Sequence, residues 1–502
     1  MLPAETGASR SRVATVAGSR SRSDHFGMPF ESARFLLFLL SALTVFWALR
    51  RSRQAQKLLL IAASVWFYGS YGWEFVALLG LSVAGNHLAA GLVAASAGPG
   101  RGRWLAAGVT ANLLLLAWFK YYVFFAETFN DALFALGAGA QLQVPQIVLP
   151  IGISFYTFQA IAYLIEVHRE SGPKAKSLVD FAVFMAFFPQ LLIGPICRGR
   201  DLLPQIERPA PARIEQFPLA VSLILSGLFK RMVIASLLFS FGVSRIFDAP
   251  ENYTAAALWM AVFGYTVQIY CDFSGYVDLV RGCALLFGFR IPDNFNNPYS
   301  AASVGDYWRR WHMTFSSWLR DFIYFPLGGS RRRRGRVLFN LFATMVFCGL
   351  WHGATWGYVI WGACHGLALV LYKYRLDEHR ARGEDVQRRL TATEWLRGWA
   401  WTMLVVSLSR VFFVCTDLAV AVTFLSRMFT PGLAGEGFAL LLLPVTLAGL
   451  GLNFAGDAMR DRFVRWSGAL PLALRWAFWL AMFYLLLAVR PFGVLPNTYF
   501  RF

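Results

Sequence analysis

Apolar runs long enough to cross a bilayer core of about 30 Å follow one another along almost the whole chain, and roughly eleven to thirteen of them can be counted. The first covers residues 35–49. Two more fall within 58–95, parted by aromatic residues of interfacial type at Tyr71-Gly72-Trp73, and others follow at 104–126, 147–167, 217–241 and 259–289. The second half adds 337–350, 355–372, 399–414, 438–454 and 470–489. The gaps are mostly short. This pattern predicts an all-α polytopic membrane protein, with one membrane domain over 28–502 and no soluble domain left over.

His352 stands at the break between the runs 337–350 and 355–372, within Trp351-His352-Gly353. Five arginines at 331–334 and 336 must stay in water, and a helix of about fourteen residues rising about 1.5 Å each carries His352 about 20 Å away from them. The second run returns to a charged stretch, 373–397, so both flanks are expected on one side of the membrane. An ionisable group at that depth is costly unless it lines a wet cavity or has a partner, which makes it a functional candidate. A plain hydrogen bond between helices would also account for it.

Other polar positions interrupt the apolar pattern. The run 147–167 holds Pro150, Gly152, Ser154, Tyr156, Thr157 and Gln159, and a second interruption comes at Phe187-Phe188-Pro189-Gln190 and Gly194-Pro195. Two broken runs so close together predict a re-entrant or cavity-lining region. The span 259–289 carries Gln268, Asp272, Ser274 and Asp278. The two carboxylates, six residues apart, point to different sides of a regular helix unless Gly275 breaks it. They are either functional or paired structural groups. By contrast 217–241 reads as a clean span, and Lys120 as an anchor that reaches the headgroups. In 306–325, Trp308, Trp311, Phe315, Trp318, Phe322 and Phe325 fall within an arc of about 100°, opposite Arg309, Arg310 and Arg320. This predicts an amphipathic interfacial helix with His312 at the edge of the aromatic stripe, either packed or functional.

Composition narrows the class further. The chain has 502 residues, 57% hydrophobic and only 15% charged, which excludes an ordinary soluble domain. A formal charge of +19 raises the question of nucleic acid, but the arginines cluster in short loops, which fits the positive-inside rule and anionic membrane lipids instead. The arginines at 331–336 read first as a topology signal, with a lipid contact or the phosphates of coenzyme A as alternatives. Six cysteines without a C-x-x-C pair predict reduced, buried thiols and neither a disulfide framework nor a zinc site. Cys348, four residues before His352, can share its face as a thiol-imidazole pair, although a small buried residue is the ordinary explanation. His365 would lie nearly opposite His352 on a continuous helix, so no metal site is expected. Residues 1–27 read as a disordered extension, with Met28 a possible start, and the tail 496–502 as interfacial. There is no P-loop, nucleophile elbow or dinucleotide glycine motif, so coupling to ATP is unsupported.

Six stretches together carry a resemblance: LPIGISFYTFQAIAYLIEVHR, FFPQLLIGPICRGRDLLPQ, YCDFSGYVDL, FGFRIPDNFNNPY, WRRWHMTFSSWLRD with FPLGGS, and GLWHGATWGYVIWGACHG. In that order, from about Leu149 to Gly366, the chain resembles the membrane-bound O-acyltransferases, specifically the alginate O-acetylation branch. The resemblance implies a ring of membrane helices around a tunnel, with re-entrant and interfacial helices. Through the tunnel an acyl group would pass from a cytoplasmic donor, acetyl-CoA or another acyl thioester, with no permanently bound cofactor. It implies that His352 is the essential histidine, acting as general base, and that His312 is the second, toward the cytoplasmic entrance, positioning or polarising the thioester. Imidazole, with an ordinary pKa of about 6.5, suits proton transfer from a hydroxyl to a leaving thiolate. The implied setting is a bacterial inner membrane, with an SGNH-type periplasmic acetyltransferase as partner and an exported polysaccharide such as alginate as final acceptor. Peptidoglycan O-acetylation and D-alanyl transfer toward teichoic acid are the alternatives within the family. A transporter or export component is the alternative outside it, although no inverted repeat is visible.

Overall fold

The computed structural model describes residues 27–137, 142–208, 213–385, 388–415, 417–430 and 438–489. Residues 1–26 and the tail 496–502, where a disordered extension and an interfacial end are expected, lie outside the described residues. Among the described residues the architecture is helical, with a single isolated bridge between Phe295 and Trp311 and no strand.

The N-terminal third is a set of helices, two of which open on serine caps. Ser32 and Ser52 accept N–H groups at the starts of α1 (Ala33–Ala48) and α2 (Arg53–Gly69), and α3 (Trp73–Ala95) begins after the aromatic turn. Helix α4 (Gly98–Leu116) runs through a π turn, Ala117–Tyr121, into α5 (Tyr122–Ala135). Helix α6 begins only at Ile153 and ends at Arg169, so Pro150 and Gly152 precede the helix that the hydropathy pattern starts at residue 147. Gly152 has φ of +80°, and a Cβ there would lie 2.6 Å from the Leu191 carbonyl oxygen, so only glycine fits that approach. The second interruption is a true break. Helix α7 (Leu178–Ala186) stops at Phe187, and the four-residue α8 (Phe188–Leu191) restarts the chain inside the protein. The Phe184 carbonyl freed there accepts bonds from Gln159 and Gln190 at 2.7 and 3.0 Å. A short α9 (Gly199–Glu207) follows.

The central part crosses at glycines. Helix α10 (Phe217–Leu228) continues through a π segment, Phe229–Ala235, into α11 (Ser236–Ser240); α12 (Val243–Asp248) then leads to α13 (Ala255–Leu286). Helix α13 is unbroken for 32 residues. Gly275 therefore supplies no break; it is a contact point, where a Cβ would lie 2.9 Å from the Gly227 carbonyl of α10. Small residues at such crossings let backbones approach closely. The span read as clean is a charged one: Lys230 meets Asp278 at 2.8 Å, and Arg231 meets Asp272 at 3.2 Å and also Glu31. Both carboxylates of α13 thus have cationic partners. The amphipathic stretch 306–325 is not one helix. It divides into α14 (Val304–Arg310), α15 (Met313–Leu319) and a π segment, Arg320–Tyr324; Trp308, Trp311, Phe315 and Trp318 are buried in the protein core, whereas Phe325 at the end of the stripe is exposed.

Helices α16 (Arg334–His352) and α17 (Trp356–Ala381) form a tight hairpin. A Cβ on Gly349 would lie 2.1 Å from the Tyr358 carbonyl oxygen, and one on Gly362 would lie 2.4 Å from that of Met345. At the open end Arg334, the first residue of α16, bonds Glu378 in the last turns of α17 at 2.9 Å, so the charged ends of the two helices lie together, as expected. The remaining helices are α18 (Ala392–Val414), α19 (Leu418–Arg427), α20 (Phe438–Ala469) and α21 (Leu472–Val489). Five helices among the described residues, 73–95, 98–135, 217–240, 442–469 and 472–489, are by length and composition apolar enough to cross a membrane. Several other long helices carry polar groups on their inner faces, and these surround the histidines. The protein is an all-helical, multi-pass membrane protein.

Candidate functional site

His352 is the last residue of α16, at the tip of the hairpin. Eighteen rises of about 1.5 Å along α16 put it about 27 Å from Arg334. It is 4% exposed, and its ring is walled by Trp351, Trp361 and Phe413 at centroid distances of 4.8, 5.0 and 5.2 Å. After His352 the backbone turns extended at Gly353, where a Cβ would run into the Tyr358 ring. The chain reverses there, so the comparison of His352 with His365 along one continuous helix does not apply. His365 comes back beside the site, with the Trp361 ring 4.8 Å from it and 5.0 Å from His352, and its Nε2 pairs with the Ser409 hydroxyl at 3.0 Å.

His312 sits between α14 and α15 and is 1% exposed. Its φ of +45° is unusual for a residue with a side chain. The conformation is pinned by its neighbours: Met313 N–H donates to the Asn294 carbonyl at 2.9 Å, and Asn296 N–H donates to Arg310 at 2.9 Å. The ring lies among Phe273, Phe315 and Trp351 at 4.8, 5.1 and 6.1 Å. Phe315 and Trp351 also flank His352, so one aromatic cluster joins both sequence-predicted histidines.

Four further polar residues enter this region that the sequence pattern did not single out for it. Lys120, on the π turn after α4, does not reach for headgroups; its ammonium donates to the Trp351 carbonyl and sits 5.4 Å from the Trp351 ring centre. Tyr121 donates to the Leu350 carbonyl at 3.0 Å. Together they satisfy carbonyls at the C-terminus of α16, where a cation is also favoured by the helix dipole, and π turns of this kind recur at functional sites. Arg410, 2% exposed on α18, lies 5.0 Å from the Trp311 ring and 5.4 Å from that of Phe413, and donates to Tyr307 at 3.3 Å. An arginine inside the run 399–414 was a visible signal. The fourth residue, Asn294, holds His312 and lines a cavity of about 380 Å³, shared with Lys230, Ser274, Asp278 and Arg281. No cluster of three or more metal-ligating residues occurs among the described residues. Cys348 is fully buried on α16, as a small core residue would be.

A deep pair of imidazoles in an aromatic cage, with a fixed cation at one edge, can take and return protons away from bulk water. Comparison with known proteins places the chain among acyltransferases. Residues 155–426 match the membrane-bound O-acyltransferase family. The chain is 36% identical over 409 residues to a probable alginate O-acetylase of Pseudomonas putida, covering 81% of each protein. It is 33% identical over 399 residues to a peptidoglycan O-acetyltransferase of Helicobacter pylori, covering 74% of this chain and 73% of that one. To a teichoic acid D-alanyltransferase of Bacillus subtilis it is 24% identical over 275 residues, covering 53% of this chain and 66% of that one.

Proposed function

The chain belongs to the membrane-bound O-acyltransferase family, and from that membership we propose that it moves acetyl groups from a cytoplasmic thioester, acetyl-CoA in the simplest case, across the inner membrane for O-acetylation of an exported polysaccharide. Alginate or a polymer like it is the favoured acceptor, because the alginate O-acetylase is more similar over more of the chain than the peptidoglycan or teichoic acid enzymes. A periplasmic acetyltransferase of SGNH type would complete the delivery. Residues 28–502 act as one membrane unit in this reading.

The observation that carries the site assignment is the shared cage, in which Trp351 and Phe315 contact both His312 and His352. His352 is the general base. It takes the proton of an acceptor hydroxyl as that oxygen attacks the thioester carbonyl. The carbon–sulfur bond then breaks, and the proton passes to the departing thiolate. His312 positions the reactants. The thioester is already activated, so no nucleotide hydrolysis is called for.

His352→Gln keeps most of the imidazole's volume and removes the base. In a deletion strain complemented with this variant, polymer acetylation should fall by about 10²–10⁴-fold while the protein accumulates normally in the membrane. Acetylation within threefold of wild type would sink the assignment. Acetyl groups found on peptidoglycan and not on the exported polymer would move the acceptor to the second relative.

A further inference from the structure

We propose that Asn294 is a positioning residue that locks His312 in the Nδ1–H tautomer, so that His312 faces the reactants as a hydrogen-bond acceptor and not as a donor. The inference rests on the reading of His312 as part of the acyl-transfer site.

The assignment follows from one donor whose direction cannot be reversed. The backbone N–H of Thr314 lies 3.0 Å from the Asn294 side-chain oxygen. A backbone N–H can only donate, so the amide atom it meets must be the carbonyl oxygen, and the Asn294 orientation is fixed. The Thr314 hydroxyl reaches the same oxygen at 2.9 Å and accepts the Ile196 N–H at 3.1 Å. Its single proton therefore goes to Asn294. His312 Nδ1 is 3.2 Å from that same oxygen. An amide oxygen cannot donate, so Nδ1 must carry the hydrogen, and the neutral ring keeps its lone pair on Nε2. Nε2 is buried and has no hydrogen-bond partner among the described residues.

A neutral imidazole with the lone pair on Nε2 accepts a hydrogen bond from an N–H or O–H group. It cannot polarise the thioester carbonyl, which is itself an acceptor. The donor role that the family resemblance allows for His312 is therefore closed in the resting enzyme, and the residue orients a substrate group carrying hydrogen. The surroundings support a neutral ring: Phe155, Phe273, Phe315 and Trp351 are its ring neighbours.

The test combines a spectroscopic signature with variants in the full-length protein. With ¹⁵N-labelled histidine in reconstituted membranes, the signals that disappear in His312→Gln belong to His312. They should show a protonated Nδ1 and an unprotonated Nε2. Asn294→Asp preserves an oxygen that accepts all three bonds and should keep acyl transfer within tenfold of wild type. Asn294→Leu removes the acceptor; it should mix the two His312 tautomers and lower transfer by about a hundredfold or more. A protonated Nε2 in the wild-type spectrum overturns the inference even if Asn294→Leu does not accumulate. So does an Asn294→Leu protein with unchanged spectrum and activity. Full activity in His312→Gln would instead overturn the underlying assignment of His312, whatever the tautomer.

Discussion

The sharpest structural test concerns the pair formed by Lys230 and Asp278, because it decides whether the carboxylates of α13 take part in chemistry or only hold helices together. The Lys230 ammonium lies 2.8 Å from the Asp278 carboxylate, which also accepts the Ser226 hydroxyl at 3.0 Å; the side chains of Lys230 and Asp278 are 15% and 10% exposed. At an effective dielectric constant of about 20, opposite unit charges at that distance attract by about 6 kcal/mol. Desolvation costs several kcal/mol per ion and offsets most of this, so the pair contributes little net stability. Removing one partner is different, since it leaves the other charge buried and uncompensated, at a cost of about 3–5 kcal/mol. Asp278→Asn and Lys230→Met should each lower the thermal midpoint of the purified protein clearly, whereas Lys230→Met with Asp278→Leu should return it close to wild type. Tryptophan fluorescence during heating reads the midpoint, and acetyl transfer is measured on the same samples. Single variants with wild-type midpoints would refute the buried-pair argument. A double variant that is stable but inactive would refute the structural role and make Asp278 part of the chemistry.

Two other perturbations follow from the geometry around the hairpin. Lys120→Met removes a charge-assisted bond to the Trp351 carbonyl and should cost about 1.5–3 kcal/mol, while Tyr121→Phe should cost about 1 kcal/mol; a Lys120→Met protein with wild-type midpoint and activity would show that the ammonium leaves the helix end for the headgroups. Gly349→Ala should push α16 and α17 apart, because the added methyl would lie 2.1 Å from the Tyr358 carbonyl; hydrogen exchange along α17 should rise and transfer should fall, whereas Gly451→Ala, with open space around it, should change neither.

Much of the scaffold was legible because burial in a membrane protein writes itself into local sequence. The runs at 58–95, the return of the chain after His352 toward charged residues, and the interruption at 187–190 all appear in the structure near the expected residues. The charges inside apolar runs were not legible in the same way. Averaging over a span hides Lys230, Arg231 and Arg410, and their partners lie far along the chain, as with Arg231 and Glu31. Reading 217–241 as a clean span left out the cations that pair with Asp272 and Asp278, which the sequence leaves open as functional or paired groups.

The break at His312 escaped periodicity for a local reason. A single residue in the left-handed region changes the chain direction without spoiling the spacing of the tryptophans, so the aromatic stripe reads as one helix although short separate segments carry it. What fixes the break is Asn294, eighteen residues earlier, which bonds the backbone of Met313 and Thr314 and the ring of His312. Strain at a non-glycine position persists only where surroundings over-determine it, and such positions cluster at functional sites. One asparagine here sets both the conformation of the backbone and the proton on the ring. A helical His312 would be the cheaper fold, but its imidazole would lack that partner, and the Nε2 lone pair would have no fixed address in the cage it shares with His352.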